Sequence, residues 1–168
     1  FALCGLSIGA QITVEILSKE SDITENAVIE SALVYPIKMA IALTVPIYNI
    51  CFGLIKKRWF AKLQAKSLNV PDELFESYYK DSSRMTKESL INFTVSNGDY
   101  PMPLTLRNTT AKTLILVGEK ELSIMKKSAS VLHENINNSL LKVLAKKGHG
   151  EISLVYPEKY INLLRQLF

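Results

Sequence analysis

Residues 1–10 read Phe-Ala-Leu-Cys-Gly-Leu-Ser-Ile-Gly-Ala and contain the pattern G-x-S-x-G over Gly5–Gly9. Phe1–Cys4 is a short apolar run closed by Gly5, which predicts a strand. Ile8, Ile12, Val14, Ile16 and Leu17 then put apolar residues on more than one side of a helix, which predicts a deeply buried one. A serine between a strand and a helix sits at the strained point of a sharp turn. Side chains at the flanking positions are expected to clash there, so Gly5 and Gly9 both have a steric reason to be glycine. The same turn aims the Ser7 hydroxyl away from the sheet. It also brings the backbone N–H of Ile8, at the helix start, towards a developing oxyanion.

Further along the chain, strands and helices alternate. Val28–Tyr35 is a second β-capable run, closed by Pro36. From about Pro36 to Arg107 the pattern turns helical, aromatic and proline-broken, with a basic amphipathic stretch at Trp59-Phe60-Ala61-Lys62-Leu63. Thr86 is placed to cap a helix, and Asn97-Gly98 with Pro101 and Pro103 end the region in turns. Thr113–Val117 is a continuous β-compatible run closed by Gly118, as expected of a parallel strand covered on both faces. Leu122, Met125, Ala129 and Leu132 repeat at helical spacing, and Leu140–Ala145 gives another strand. Pro157 opens a last helix whose apolar face is Tyr160, Leu163, Leu164, Leu167 and Phe168. This alternation implies an α/β fold, a parallel sheet with helices on both faces, with a helical insertion between the second and third strands.

A serine hydroxyl is a poor nucleophile without a base. The chain has two histidines. His133 falls late in a helix and reads as a surface residue. His149 lies in Lys147-Gly148-His149-Gly150, just after the last strand, where flanking glycines let a loop present an imidazole at the carboxyl edge of the sheet. An imidazole needs a carboxylate to fix its tautomer and stabilise its cation. Glu119 and Glu121 follow the third strand at the same edge and are both candidates.

The order Ser7, acid, His149, with the three motifs that carry it, resembles the α/β-hydrolase superfamily of esterase and lipase type from the nucleophile elbow onward. Gly5–Ala10 resembles the elbow, Thr113–Glu121 the acid-bearing strand and loop, and Lys147–Gly150 with Pro157 the histidine loop and closing helix. The resemblance implies a core over residues 1–36 and 105–168 and a helical cap or lid over 37–104. Its acid usually stands three residues after the glycine, which selects Glu121 over Glu119, although Asp is the more usual residue there. The implied chemistry is carboxylic ester hydrolysis through an acyl-enzyme on Ser7, with His149 as base, Glu121 as its orienting acid and the Ile8 amide in the oxyanion hole. A small hydrophobic ester is the expected substrate class. The resemblance also implies several strands ahead of Ser7 and a second oxyanion donor, so the chain reads as the back part of a longer protein and is expected to be inactive or very weak alone. Alternatives on the same fold are a C–C hydrolase or acyltransferase, or a non-catalytic binding protein.

Composition narrows the rest. The chain has 168 residues, 48% of them hydrophobic, which suits a domain with a sizeable core and excludes a disordered chain. Two Cys exclude a disulfide scaffold. Cys4 and Cys51, in apolar surroundings, are expected to be buried inert thiols in a cytoplasmic protein. The net charge of +4 is spread along the chain and does not call for nucleic acid. No metal or organic cofactor is implied, because no Cys/His cluster has ligand spacing. Met39–Ile55 is uncharged but interrupted by Pro46, Asn49 and Gly53. It lies at the lower limit for a bilayer span of roughly 17–25 residues, and a buried or pocket-lining helix is expected instead of membrane insertion. Residues 1–6, as a bare edge strand, or segment 39–55 are expected to drive self-association.

Overall fold

Val28, Ile29, Leu114, Ile115, Leu116 and Val117 are each at most 1% exposed, so consecutive residues of the two central strands are covered on both faces. In the computed structural model, which describes residues 1–167, four strands form one parallel sheet: β1 (Ala2–Leu6), β2 (Asn26–Glu30), β3 (Lys112–Gly118) and β4 (Ser139–Leu144). Their order in the sheet is their order in the chain, with Leu6 opposite Glu30 and Gly118 opposite Leu144. The helices are α1 (Ile8–Lys19), α2 (Lys38–Cys51), α3 (Arg58–Ser67), α4 (Phe75–Arg84), α5 (Lys87–Gly98), α6 (Ser123–Asn135), α7 (Glu151–Val155) and α8 (Pro157–Leu167).

The pleat sends alternate residues to opposite sides. Ala27, Ile29, Ile115 and Val117 meet Ala10, Val14 and Leu17 of α1, together with Ala129 and Leu132 of α6. Val28, Leu114 and Leu116 meet Ile152 of α7, with Tyr156, Tyr160, Leu163 and Leu164 packed beside them. The last helix therefore buries the face expected of it as far as Leu164. Phe168 and the Leu167 side chain lie outside the described residues. Helix α1 is less enclosed than its pattern suggests: Ala10, Val14 and Leu17 are buried, but Ile12 is 56% exposed.

The second strand differs from its sequence reading. It ends at Glu30, not Tyr35, because Ser31 takes a positive φ of 54° and breaks the extended backbone. Ala32, Leu33 and Val34 remain buried, but side chains satisfy their backbone instead of a ladder. The Leu33 carbonyl accepts from Gln11 Nε2 at 2.7 Å, and the Val34 N–H donates to Ser128 Oγ at 3.1 Å.

The chain falls into two compact units, one comprising Phe1–Pro36 and the chain from Tyr100 onward, the other Ile37–Asp99. Within the second unit the Ile37 N–H donates to the Gly98 carbonyl at 2.8 Å, and the Tyr48 hydroxyl bonds Thr94 Oγ1 at 3.0 Å, tying α2 to α5. Arg58 pairs with Glu76 through both terminal guanidinium nitrogens and lies over the Phe75 and Tyr79 rings. Thr86 caps α5, accepting from the Ser89 N–H at 3.0 Å.

Two burial expectations are corrected here. Segment 39–55 is not a buried helix: Met39, Leu43, Val45, Ile47 and Ile50 are exposed, and Thr44 is the only buried residue of α2. Lys38–Lys56 is, among the described residues, the one helical stretch long and apolar enough to cross a membrane by length and composition. Cys4 and Cys51 are free but exposed; the apolar residues near them in sequence do not enclose them.

Candidate active site

All four strands are parallel, so their carboxyl ends share one edge, and the ends of β1, β3 and β4 lead into residues singled out above. Ser7 follows β1. It has φ 56° and ψ −119°, a combination that L residues rarely adopt, so the strain expected of this turn is present. Three hydrogen bonds hold it there. The Ser7 N–H donates to the Glu30 carbonyl at 2.9 Å, and its own carbonyl accepts from Ala10 and Gln11 at 3.0 and 3.2 Å. Ile8 is the first residue of α1, where the backbone N–H groups have no intrahelical acceptor and the helix dipole favours negative charge.

The two glycines of the pentapeptide are not equivalent. A Cβ on Gly5 would stand 2.3 Å from the Gly9 carbonyl oxygen and 2.5 Å from Thr13 Oγ1, so α1 packs where a side chain would be. A Cβ on Gly9 would meet nothing within 4 Å. The steric reason given above therefore holds at Gly5 and is corrected at Gly9, where only the carbonyl takes part in the close approach.

Glu121 lies three residues beyond the end of β3. Its carboxylate is buried, with the side chain 1% exposed, and each of its oxygens is engaged. Oε1 accepts from Ser31 Oγ and from the Gly118 N–H, both at 2.7 Å, and Oε2 lies 2.8 Å from His149 Nδ1. Burial alone would raise its pKa. The bonds from His149, the Gly118 amide and the Ser31 hydroxyl outweigh that effect and hold it below the ordinary carboxylate range. Glu119 engages a different partner: its Oε2 accepts from the Lys146 N–H and so braces the loop after β4.

That loop carries His149 back across the sheet. The Lys147 carbonyl accepts from the Lys120 N–H at 2.9 Å. A Cβ on Gly118 would stand 2.4 Å from the Lys147 carbonyl oxygen and 2.8 Å from that of Gly148, so the glycine ending β3 is what lets the loop lie down. Glu151 closes the turn by accepting from the Gly148 N–H at 2.8 Å and pairing with Lys147 at 3.1 Å. Gly150 then reaches β1, and a Cβ there would come within 3.0 Å of the Leu6 side chain. The neighbour of His149 thus packs on the neighbour of Ser7, while His149 itself pairs with Glu121. The histidine side chain stays 41% exposed, open to solvent or substrate on one side. His133 is outside this group and bonds Ser139 at 2.8 Å.

Ser31 was not singled out in the sequence, yet it donates to the carboxylate that orients His149. Its signal there was weak, a serine directly after an apolar run. Glu30, beside it, was also passed over.

No family model and no curated protein matches the chain. Solved structures do. An esterase from Exiguobacterium antarcticum superposes with a TM-score of 0.74 at 20% identity, over 97% of this chain and 64% of that one. MenH from S. aureus gives 0.71 at 16% identity, over 99% and 66%. A putative lipase from Acinetobacter baumannii gives 0.71 at 18% identity, over 99% and 61%. The fold is therefore that of the α/β-hydrolases, and the chain spans about two thirds or less of the length of these neighbours.

Proposed function

We propose that the whole protein to which this chain belongs is a serine hydrolase that cleaves carboxylic esters through an acyl-enzyme on Ser7. One observation carries the reading. A buried, fully bonded carboxylate is paired with the Nδ1 of an exposed imidazole, on the sheet edge where a serine occupies a strained strand-to-helix turn. A carboxylate in that place fixes the tautomer with Nδ1 protonated and leaves Nε2 as the acceptor.

In this reading Nε2 of His149 takes the Ser7 proton as Oγ bonds to the ester carbonyl carbon. The electron pair of the carbonyl moves onto oxygen, where the Ile8 amide donates to it. The C–O bond to the alcohol breaks as the imidazolium returns its proton to that oxygen. Water, deprotonated by His149, repeats the sequence and releases the acid. Glu121 stabilises the imidazolium without itself taking the proton. The Ile37–Asp99 unit serves as the cap, and its apolar residues favour an uncharged hydrophobic acyl group. The exposed free thiols suit a reducing compartment, the cytoplasm.

The experiment is fluorophosphonate labelling of the full-length protein, followed by turnover of p-nitrophenyl acetate and butyrate. Labelling at Ser7, with hydrolysis abolished in Ser7→Ala, is expected. An unlabelled serine in a folded full-length protein would favour a non-catalytic role. The isolated chain should turn over esters at least about 10²-fold more slowly, since one oxyanion donor alone is worth roughly that much.

A further inference from the structure

Glu30 ends β2 and stands between the two halves of the site. Its carbonyl accepts from the Ser7 N–H at 2.9 Å, and the residue after it donates to Glu121. The mechanism above gives its side chain nothing to do. Yet that residue is 2% exposed, and among the described residues no donor reaches Oε2. The pleat places Glu30 with Val28 on the side of the sheet covered by α7 and α8. There Ser153 of α7, whose hydroxyl donates to the Gly150 carbonyl at 3.3 Å, lies near the carboxyl and favours its charged form. The titratable groups around it are His149 and Glu121 at the rim and Tyr160 of α8, which also meets Cys4 of β1.

An ionised carboxylate so placed would be buried with one oxygen unbonded and a second carboxylate nearby, an arrangement proteins avoid because each condition penalises the charge. Burial, with Glu121 adding to it, raises the Glu30 pKa against the opposing pull of Ser153 and His149. The neighbouring segment needs support. Helix α7 has five residues, too few to stand by its own hydrogen bonds, and the loop before it holds positive φ at Lys146 and Gly150.

We propose that Glu30 is a positioning residue for the His149 base: as an uncharged acid it holds the first turn of α7, and with it the Lys147–Gly150 loop, onto the sheet, and it leaves Glu121 as the single negative charge facing the imidazole. The proposal rests on the reading of His149 as the base. Its test does not depend on Ser7 reacting, because the Hε1 resonance of His149 can be followed by NMR whether or not the serine is a nucleophile.

Wild type, Glu30→Gln and Glu30→Ala are compared by NMR titration of that resonance. Glu30→Gln replaces a neutral acid by a neutral amide of the same shape and should leave the midpoint within a few tenths of a pH unit of wild type. Glu30→Ala removes the anchor and should shift or broaden the resonance as the loop is released. In the full-length protein, fluorophosphonate labelling should slow by about tenfold or more in Glu30→Ala and recover to within about threefold of wild type in Glu30→Gln. A Glu30→Gln midpoint lower by about one pH unit would mean that Glu30 carries charge, and the proposal would fall. It would fall equally if Glu30→Ala kept the wild-type midpoint and labelling rate. Should Glu30→Ala not fold, Glu30→Leu fills the same volume without polar atoms and carries the same expectation. Loss of labelling in wild type alone would defeat the hydrolase reading and leave the titration result standing.

Discussion

Glu119 and Glu121 stand two positions apart, yet their carboxylates meet different partners: the Lys146 amide for one, His149 with Ser31 and Gly118 for the other. Glu121→Gln should therefore cut kcat of the full-length protein by about 10³–10⁴, because the carboxamide can present its NH₂ to Nδ1 and favour the wrong tautomer. Glu119→Gln keeps an oxygen that accepts from Lys146, and its activity and stability should stay within about 0.5 kcal/mol of wild type. Steady-state kinetics on the two single variants checks both. The residues alone left the pair open; the spacing from Gly118 in the resembling motif selected Glu121. Ser31 was not legible, because its role depends on a positive φ and on a partner 90 positions away. Glu30 was hidden for a related reason, since only register places it beside Ser7.

At the scale of elements, the strand–turn–helix around Ser7 was readable from ten residues, because apolar period and glycine spacing agree there. The close approach itself is one-sided, and this gives opposite expectations for two similar changes. Gly5→Ala forces a Cβ onto the Gly9 carbonyl and should destabilise by about 1–3 kcal/mol. Gly9→Ala enters open space inside α1 and should stabilise by about 0.5–1 kcal/mol, since alanine is the better helix former. Urea unfolding midpoints decide both signs. The end of β2 was misread because Ala32–Val34 are as apolar as a strand. What ends the ladder is the backbone reversal at Ser31 and the polar side chains of Gln11 and Ser128, which no local pattern announces. The exposure of α2 was equally illegible, since an apolar run looks the same whether or not anything covers it.

For the whole molecule, two carboxyl groups set opposite pH dependences. Glu121 binds its proton more weakly in the fold than in the unfolded chain. Its contribution is complete above the ordinary carboxylate pKa and is lost as pH falls through its depressed value. Glu30 binds its proton more tightly in the fold, so its effect has the other sign, and stability declines as pH rises from the ordinary carboxylate value through the raised one. Thermal melts across pH should show Glu121→Gln flattening the acid side and Glu30→Gln removing the decline that Glu30 imposes as pH rises towards neutral. The open side of β1 has its own expected outcome. Phe1 is 84% exposed and β2 is the strand's one partner among the described residues, so the isolated chain should gain mass with concentration in light scattering. Cys4 lies on that strand and is an exposed residue. It can therefore serve as a footprint: any strand that docks there should slow alkylation of Cys4 by iodoacetamide, while Cys51, exposed on α2, keeps time as the internal clock.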